Sequence, residues 1–157
     1  MAAHRRLDLD STLPIPSGAV FIDTGAWVAV QVERDPGHPV AAHAWNHFLA
    51  TRQPLVTTNL VVGETYTFLR ARHGYNAAWR FVDSLEQTLR LLRGFVDPEL
   101  EREAYSILRR YRDQDFSFVD GTSFAFMRTH RITDAFAFDV HFSIAGFTRI
   151  PIDRPLS

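Results

Sequence analysis

Short apolar runs alternate with longer helical patterns along this 157-residue chain, and two of those runs stop at an aspartate. Ala19-Val20-Phe21-Ile22, bounded by Gly18, reads as a buried strand ending at Asp23. Pro54-Leu55-Val56-Thr57 and Leu89-Arg90-Leu91-Leu92 are two more strands. Asp134-Ala135-Phe136-Ala137-Phe138 is a fourth, ending at Asp139, and a last one lies around Thr148-Arg149-Ile150. Helical spacing covers residues 24–32, 38–50, 60–72 and 76–87, a stretch from Asp97-Pro98 to about Tyr111, and 120–130. Thr58 or Asn59 caps the third helix, Gly74 closes it, and Asp97-Pro98-Glu99 opens the fifth. Residues 115–118 read as a loop, and a short helical turn follows Asp139. Strands alternating with helices predict an α/β fold with a mostly parallel sheet covered on both faces.

The length suits one domain. Residues 1–17 are polar and broken by Pro14 and Pro16, so a flexible leader is expected there, followed by a single domain over 18–157. The absence of Cys rules out a disulfide scaffold and fits a reducing cytoplasm. No run of roughly 18 apolar residues exists to cross a membrane. Arg5-Arg6 is followed by Leu7-Asp8-Leu9-Asp10 rather than by the apolar stretch of a signal peptide. All 17 basic residues are Arg, which excludes any lysine-dependent mechanism.

In open parallel sheets, ligands gather beyond the carboxyl ends of the strands, where the strand order reverses. Asp23 and Asp139 follow strands and belong at that edge. Glu64 lies one turn into the helix after the second strand, and Asp120 opens an otherwise apolar helix. Taken singly, Asp120 reads as a helix cap and Glu64 as a salt-bridge partner of an Arg. Taken together, four crowded carboxylates must be protonated or paired, and a divalent cation is the economical solution. Oxygen donors without Cys or a His cluster point to Mg²⁺, with Mn²⁺ as a substitute, rather than Zn²⁺. Such a site suits phosphodiester hydrolysis. With those acids set aside the rest of the chain is net positive, and Arg suits phosphate.

Four segments carry a family resemblance: residues 21–27 (FIDTGAW), 61–65 (VVGET), 115–124 (DFSFVDGTSF) and 135–142 (AFAFDVHF). In this order and at these intervals the chain resembles the PIN-domain ribonucleases, in the toxin branch of bacterial VapBC toxin–antitoxin pairs. The resemblance implies a three-layer α/β/α fold with metal-binding acids at Asp23, Glu64 and Asp120. It implies a fourth, more variable acid at Asp139, and a hydroxyl at Thr24 that helps order the site. The implied activity is cleavage of single-stranded regions of structured RNA, tRNA or rRNA. A homodimer and a cognate antitoxin that inserts into the site are the implied partners. Gly121 stands where other small residues are common in that family.

Other residues are weaker candidates. His43 and His47 have the spacing of a zinc pair, but Ala44 stands where a metalloprotease needs Glu, so a solvated helix face is expected. His141 either contacts RNA or packs, and Asp115 either caps a turn or supports the site from behind. Asp134 belongs at the opposite sheet edge. Arg70, Arg72, Arg109, Arg110 and Arg112 are expected on solvated helix faces. Phosphotransferases of the haloacid-dehalogenase type and response-regulator receivers share an acid after a first strand. Both need a lysine, and the former also needs an Asp where Gly25 stands. The remaining alternative is a non-catalytic RNA-binding or scaffolding domain of PIN ancestry.

Overall fold

The computed structural model describes residues 14–157. Its elements, in chain order, are β1 (Val20–Ile22), α1 (Thr24–Gln31), α2 (His38–Ala50), β2 (Leu55–Thr58), α3 (Asn59–His73) and α4 (Tyr75–Gln87), then β3 (Leu91–Gly94), α5 (Pro98–Arg110), α6 (Phe118–Thr129), β4 (Asp134–Phe136), α7 (His141–Ile144) and β5 (Thr148–Ile150). The five strands form one sheet in the order β3-β2-β1-β4-β5, and every pairing is parallel. The chain therefore starts in the middle, winds outward to β3, and returns to the other side of β1 with β4. The reversal falls between β1 and β4, so the end of β1 lies at the switch point.

Alternation along β1 feeds both faces of the sheet. Phe21 meets Phe126 of α6 and Phe142 of α7, with ring centroids 6.1 and 6.3 Å apart. Phe136 of β4, in register with Ile22, meets Phe48 of α2 at 5.3 Å. Helices α1 to α4 pack with one another, as do α5 and α6, giving the three layers. Trp27 is fully buried against Trp45 and Phe81, and its indole N–H donates to Thr57 Oγ1 at 3.4 Å. Thr57 Oγ1 in turn donates to the Ile22 carbonyl at 3.1 Å, tying the carboxyl ends of β1 and β2 together. Each fully buried ring here contributes about 1.5–3 kcal/mol relative to exposure.

Three boundaries differ from the sequence reading. β3 starts at Leu91 rather than Leu89, because Arg90 takes a left-handed turn (φ 63°) that leaves Leu89 in solvent. α6 starts at Phe118, because Ser117 rather than Asp120 is its cap. β4 stops at Phe136, three residues short of Asp139, and the Arg149 guanidinium takes the Phe138 carbonyl (2.8 Å). Its neighbour β5 also ends there, at Ile150 before Pro151, which has no N–H to extend a ladder. Of the expected leader, residues 1–13 lie outside the described residues, and Ile15 is half-buried against the core.

Candidate active site

β1 delivers Asp23 to the switch point. Its backbone N–H donates to the Phe136 carbonyl (3.1 Å), extending the β1–β4 ladder by one bond, and its own carbonyl accepts from Trp27 N–H (3.1 Å) in the first turn of α1. The backbone N–H groups of Thr24 and Gly25, at the start of α1, favour the charged form of the Asp23 carboxyl without closing a side-chain cap on the helix. Asp23 is only 7% exposed.

α6 delivers Asp120 from behind. Ser117 Oγ accepts from the Asp120 N–H (3.0 Å), and Asp120 Oδ2 accepts from the Ser117 N–H (2.9 Å), a reciprocal capping box. The cap fixes the side chain in the cluster, and Asp120 is 9% exposed. Gly121 allows this placement, since a Cβ there would lie 2.8 Å from Leu108 Cγ of α5. Glu64 is exposed on α3, one turn beyond the Thr58 cap. Asp139 is exposed in the segment between β4 and α7, and its Oδ1 accepts from the His141 N–H at 2.9 Å.

These placements bring the sequence-derived acids to one edge. Burial pushes the Asp23 carboxyl up to about 7, and the charges of Asp120 and Glu64 add to that, against the opposing N–H groups of Thr24 and Gly25. Ligand atoms of Asp120, Asp139 and His141 all lie within 4.8 Å of one another. Among the described residues no arginine forms an ion pair with any of the four acids. Thr24 Oγ1 is buried there without a hydrogen-bond partner.

That donor set fits a hard divalent cation. Its oxygens are carboxylates plus an orphaned hydroxyl, its thiols are none, and its floor is a carboxyl whose charge is disfavoured by burial first and by neighbouring acids second, with no arginine paired to it among the described residues. Two acids form a buried floor and two an exposed rim, so the site opens to solvent at the sheet edge. A separate groove of about 760 Å³ between β3, α5 and the end of α6 contains none of the four acids.

The remaining candidates separate. Asp115 is exposed, and among the described residues its carboxylate makes no hydrogen bond. Asp134 begins β4 at the far edge and pairs with Arg154. His43 and His47 lie on α2 and join no group of three metal-ligating side chains among the described residues. Arg70 lies over the Tyr75 ring at 5.9 Å, and Arg72, Arg109, Arg110 and Arg112 are exposed. His141, which the sequence leaves between RNA contact and packing, lies beside two of the acids: its Nδ1 is 3.1 Å from Asp120 Oδ2 and 3.4 Å from Asp139 Oδ1. The signal for the capping box, Ser117-x-x-Asp120, was present in the sequence.

Comparison with known proteins identifies the family of this fold. The PIN domain family model matches residues 20–147. The 23S rRNA-specific endonuclease VapC20 of Mycobacterium tuberculosis, from strains CDC 1551 / Oshkosh and H37Rv, is 39% identical over 132 residues, covering 83% of this chain and 97% of the relative. The crystal structure of Mycobacterium tuberculosis VapC20, described as a sarcin-ricin loop cleaving toxin, superposes with a TM-score of 0.76 at 36% identity, covering 83% of this chain and 98% of that one. Among the described residues no helix is long and apolar enough to cross a membrane. With its five-stranded parallel sheet and acids at the switch point, the chain belongs to the PIN-domain family and resembles its VapC toxins.

Proposed function

We propose that the chain is a metal-dependent endoribonuclease that cuts ribosomal RNA, and that it is the toxin of a toxin–antitoxin pair. One observation carries the chemistry: Asp23 and Asp120 are buried beside Glu64 and Asp139, and among the described residues no arginine offsets them. Asp23, Glu64 and Asp120 hold Mg²⁺, with Mn²⁺ able to replace it, and Asp139 completes the site. When bound, the cation supplies Lewis acidity, making water a better nucleophile at neutral pH and offsetting charge that builds on the phosphate.

The chain's own groups do the positioning. The N–H groups of Thr24 and Gly25 favour the charged form of Asp23, and the Ser117 cap holds Asp120. The exposed rim of Glu64 and Asp139 leaves the edge open to a polymer, unlike the enclosed pocket that small substrates need. Ribosomal RNA is the favoured substrate because the VapC20 relatives are described as 23S rRNA-specific. A cognate antitoxin that covers this edge would silence the enzyme.

The test is cleavage of total bacterial RNA by the purified chain with Mg²⁺ or Mn²⁺ against EDTA, beside Asp120→Asn, with the cut ends mapped. Discrete metal-dependent cuts in 23S rRNA, lost in the variant, are expected. Equal cutting in EDTA, or full activity in Asp120→Asn, contradicts the assignment. A folded chain that binds rRNA and never cuts it would make this a binding domain.

A further inference from the structure

We propose that His141 is a positioning residue that brackets the carboxylates of Asp120 and Asp139 and so presents one free Asp120 oxygen to the cation. This rests on the metal-dependent reading above. Asp120 Oδ2 accepts two protein donors, the Ser117 N–H at 2.9 Å and His141 Nδ1 at 3.1 Å. Among the described residues no donor reaches Oδ1. A carboxylate tied at one oxygen and open at the other is oriented as a ligand before any cation arrives.

His141 reaches the second acid as well. Its backbone N–H donates to Asp139 Oδ1 at 2.9 Å, and its Nδ1 lies 3.4 Å from the same oxygen. An ionised carboxylate only accepts, so the bracket uses the tautomer with a proton on Nδ1. The ring is held from the side by Phe116, 5.0 Å away at 61°, and Phe116 packs on Phe124 of the core at 5.1 Å. Through this one side chain the aromatic core sets the spacing of two acids that come from different elements. Donors placed behind metal ligands fix their orientation, and losing one typically weakens metal affinity or activity by about 10–100-fold.

The experiment is Mn²⁺ binding to the full chain, measured by calorimetry for the native protein, His141→Ala, His141→Asn and Asp120→Asn, with a melting curve for each. The Asn amide nitrogen can stand near the place of Nδ1 and restore the donor. His141→Ala is expected to weaken Mn²⁺ binding by about 10–100-fold, and His141→Asn to recover most of that loss. Native-like binding in His141→Ala, with Asp120→Asn weakened, overturns this inference and leaves the metal site standing. No binding by the native chain, or equal binding in Asp120→Asn, overturns the metal site and the inference with it. If His141→Ala melts far below native, His141→Phe decides. It keeps the ring on Phe116 without the donor, so weakened binding supports the bracket and unchanged binding refutes it.

Discussion

Asp23 and Asp153 are aspartates of one chain whose surroundings push them in opposite directions. Asp153 Oδ2 accepts from the Arg149 backbone N–H at 2.9 Å, and Oδ1 from Arg149 Nη2 at 2.9 Å. Those bonds, with one from Ser143 Oγ, hold its carboxyl well below the usual carboxylate range. Asp23 is buried with acids for neighbours and is pushed up to about 7. Arg149 supplies a cation to Asp153, and among the described residues no arginine pairs with Asp23. An acid that is structural is neutralised by the fold, whereas under the proposed function Asp23 is kept for an external cation. The two regions are also joined, since Arg149 Nη1 donates to the Phe138 carbonyl, next to Asp139.

The contrast can be broken at several points. Asp120→Asn removes a proposed ligand without changing the shape of the capping box, and RNA cleavage should fall by at least about 100-fold while the melting temperature stays close to native. An active Asp120→Asn would mean that the acid cluster is structural, like Asp153. Gly121→Ala forces a Cβ against Leu108 and should cost about 1–3 kcal/mol in chemical unfolding, with cleavage lowered as α6 shifts. Unchanged stability would show that α5 yields freely there. Arg149→Ala should lower the melting temperature and reduce cleavage by less than about tenfold, because it frees the Phe138 carbonyl without touching a ligand. Asp115→Ala should change stability by no more than about 0.5 kcal/mol and leave the cleavage rate native, as its carboxylate is exposed and unbonded.

Much of this was legible in the sequence, for stated physical reasons. Apolar runs ending in Asp23 and near Asp139 placed acids at the carboxyl edge, because parallel strands share one polarity. Helix positions followed from caps such as Thr58 and Asp97, whose side chains do accept from Val61 N–H and Leu100 N–H. What local patterns could not show was set by partners distant in the chain. β4 ends early because Arg149 takes the Phe138 carbonyl and Pro151 follows Ile150, and neither effect is visible within residues 134–138. Glu64 sits in an apolar-looking stretch yet is exposed, since the buried face of α3 runs through Val61, Thr65 and Leu69. The position of His141 was not legible, because only the fold brings Phe116 and Asp120 beside it.

The measurement that tests the central claim most directly is the melting temperature of native chain and Asp23→Asn in EDTA and in Mn²⁺, from pH 5 to pH 8. The folded Asp23 carboxyl is raised from 3.8 to about 7, so the folded state keeps a proton that the unfolded chain has lost. Metal-free stability should therefore fall as pH rises through that interval, since the native state then binds more protons. Mn²⁺ should raise the melting temperature more at pH 8 than at pH 5. Asp23→Asn should melt above native in EDTA at pH 8 and lose most of the Mn²⁺ effect. A native chain whose melting temperature ignores Mn²⁺ at pH 8, or an Asp23→Asn chain that responds as the native one does, would contradict a cation site at the end of β1.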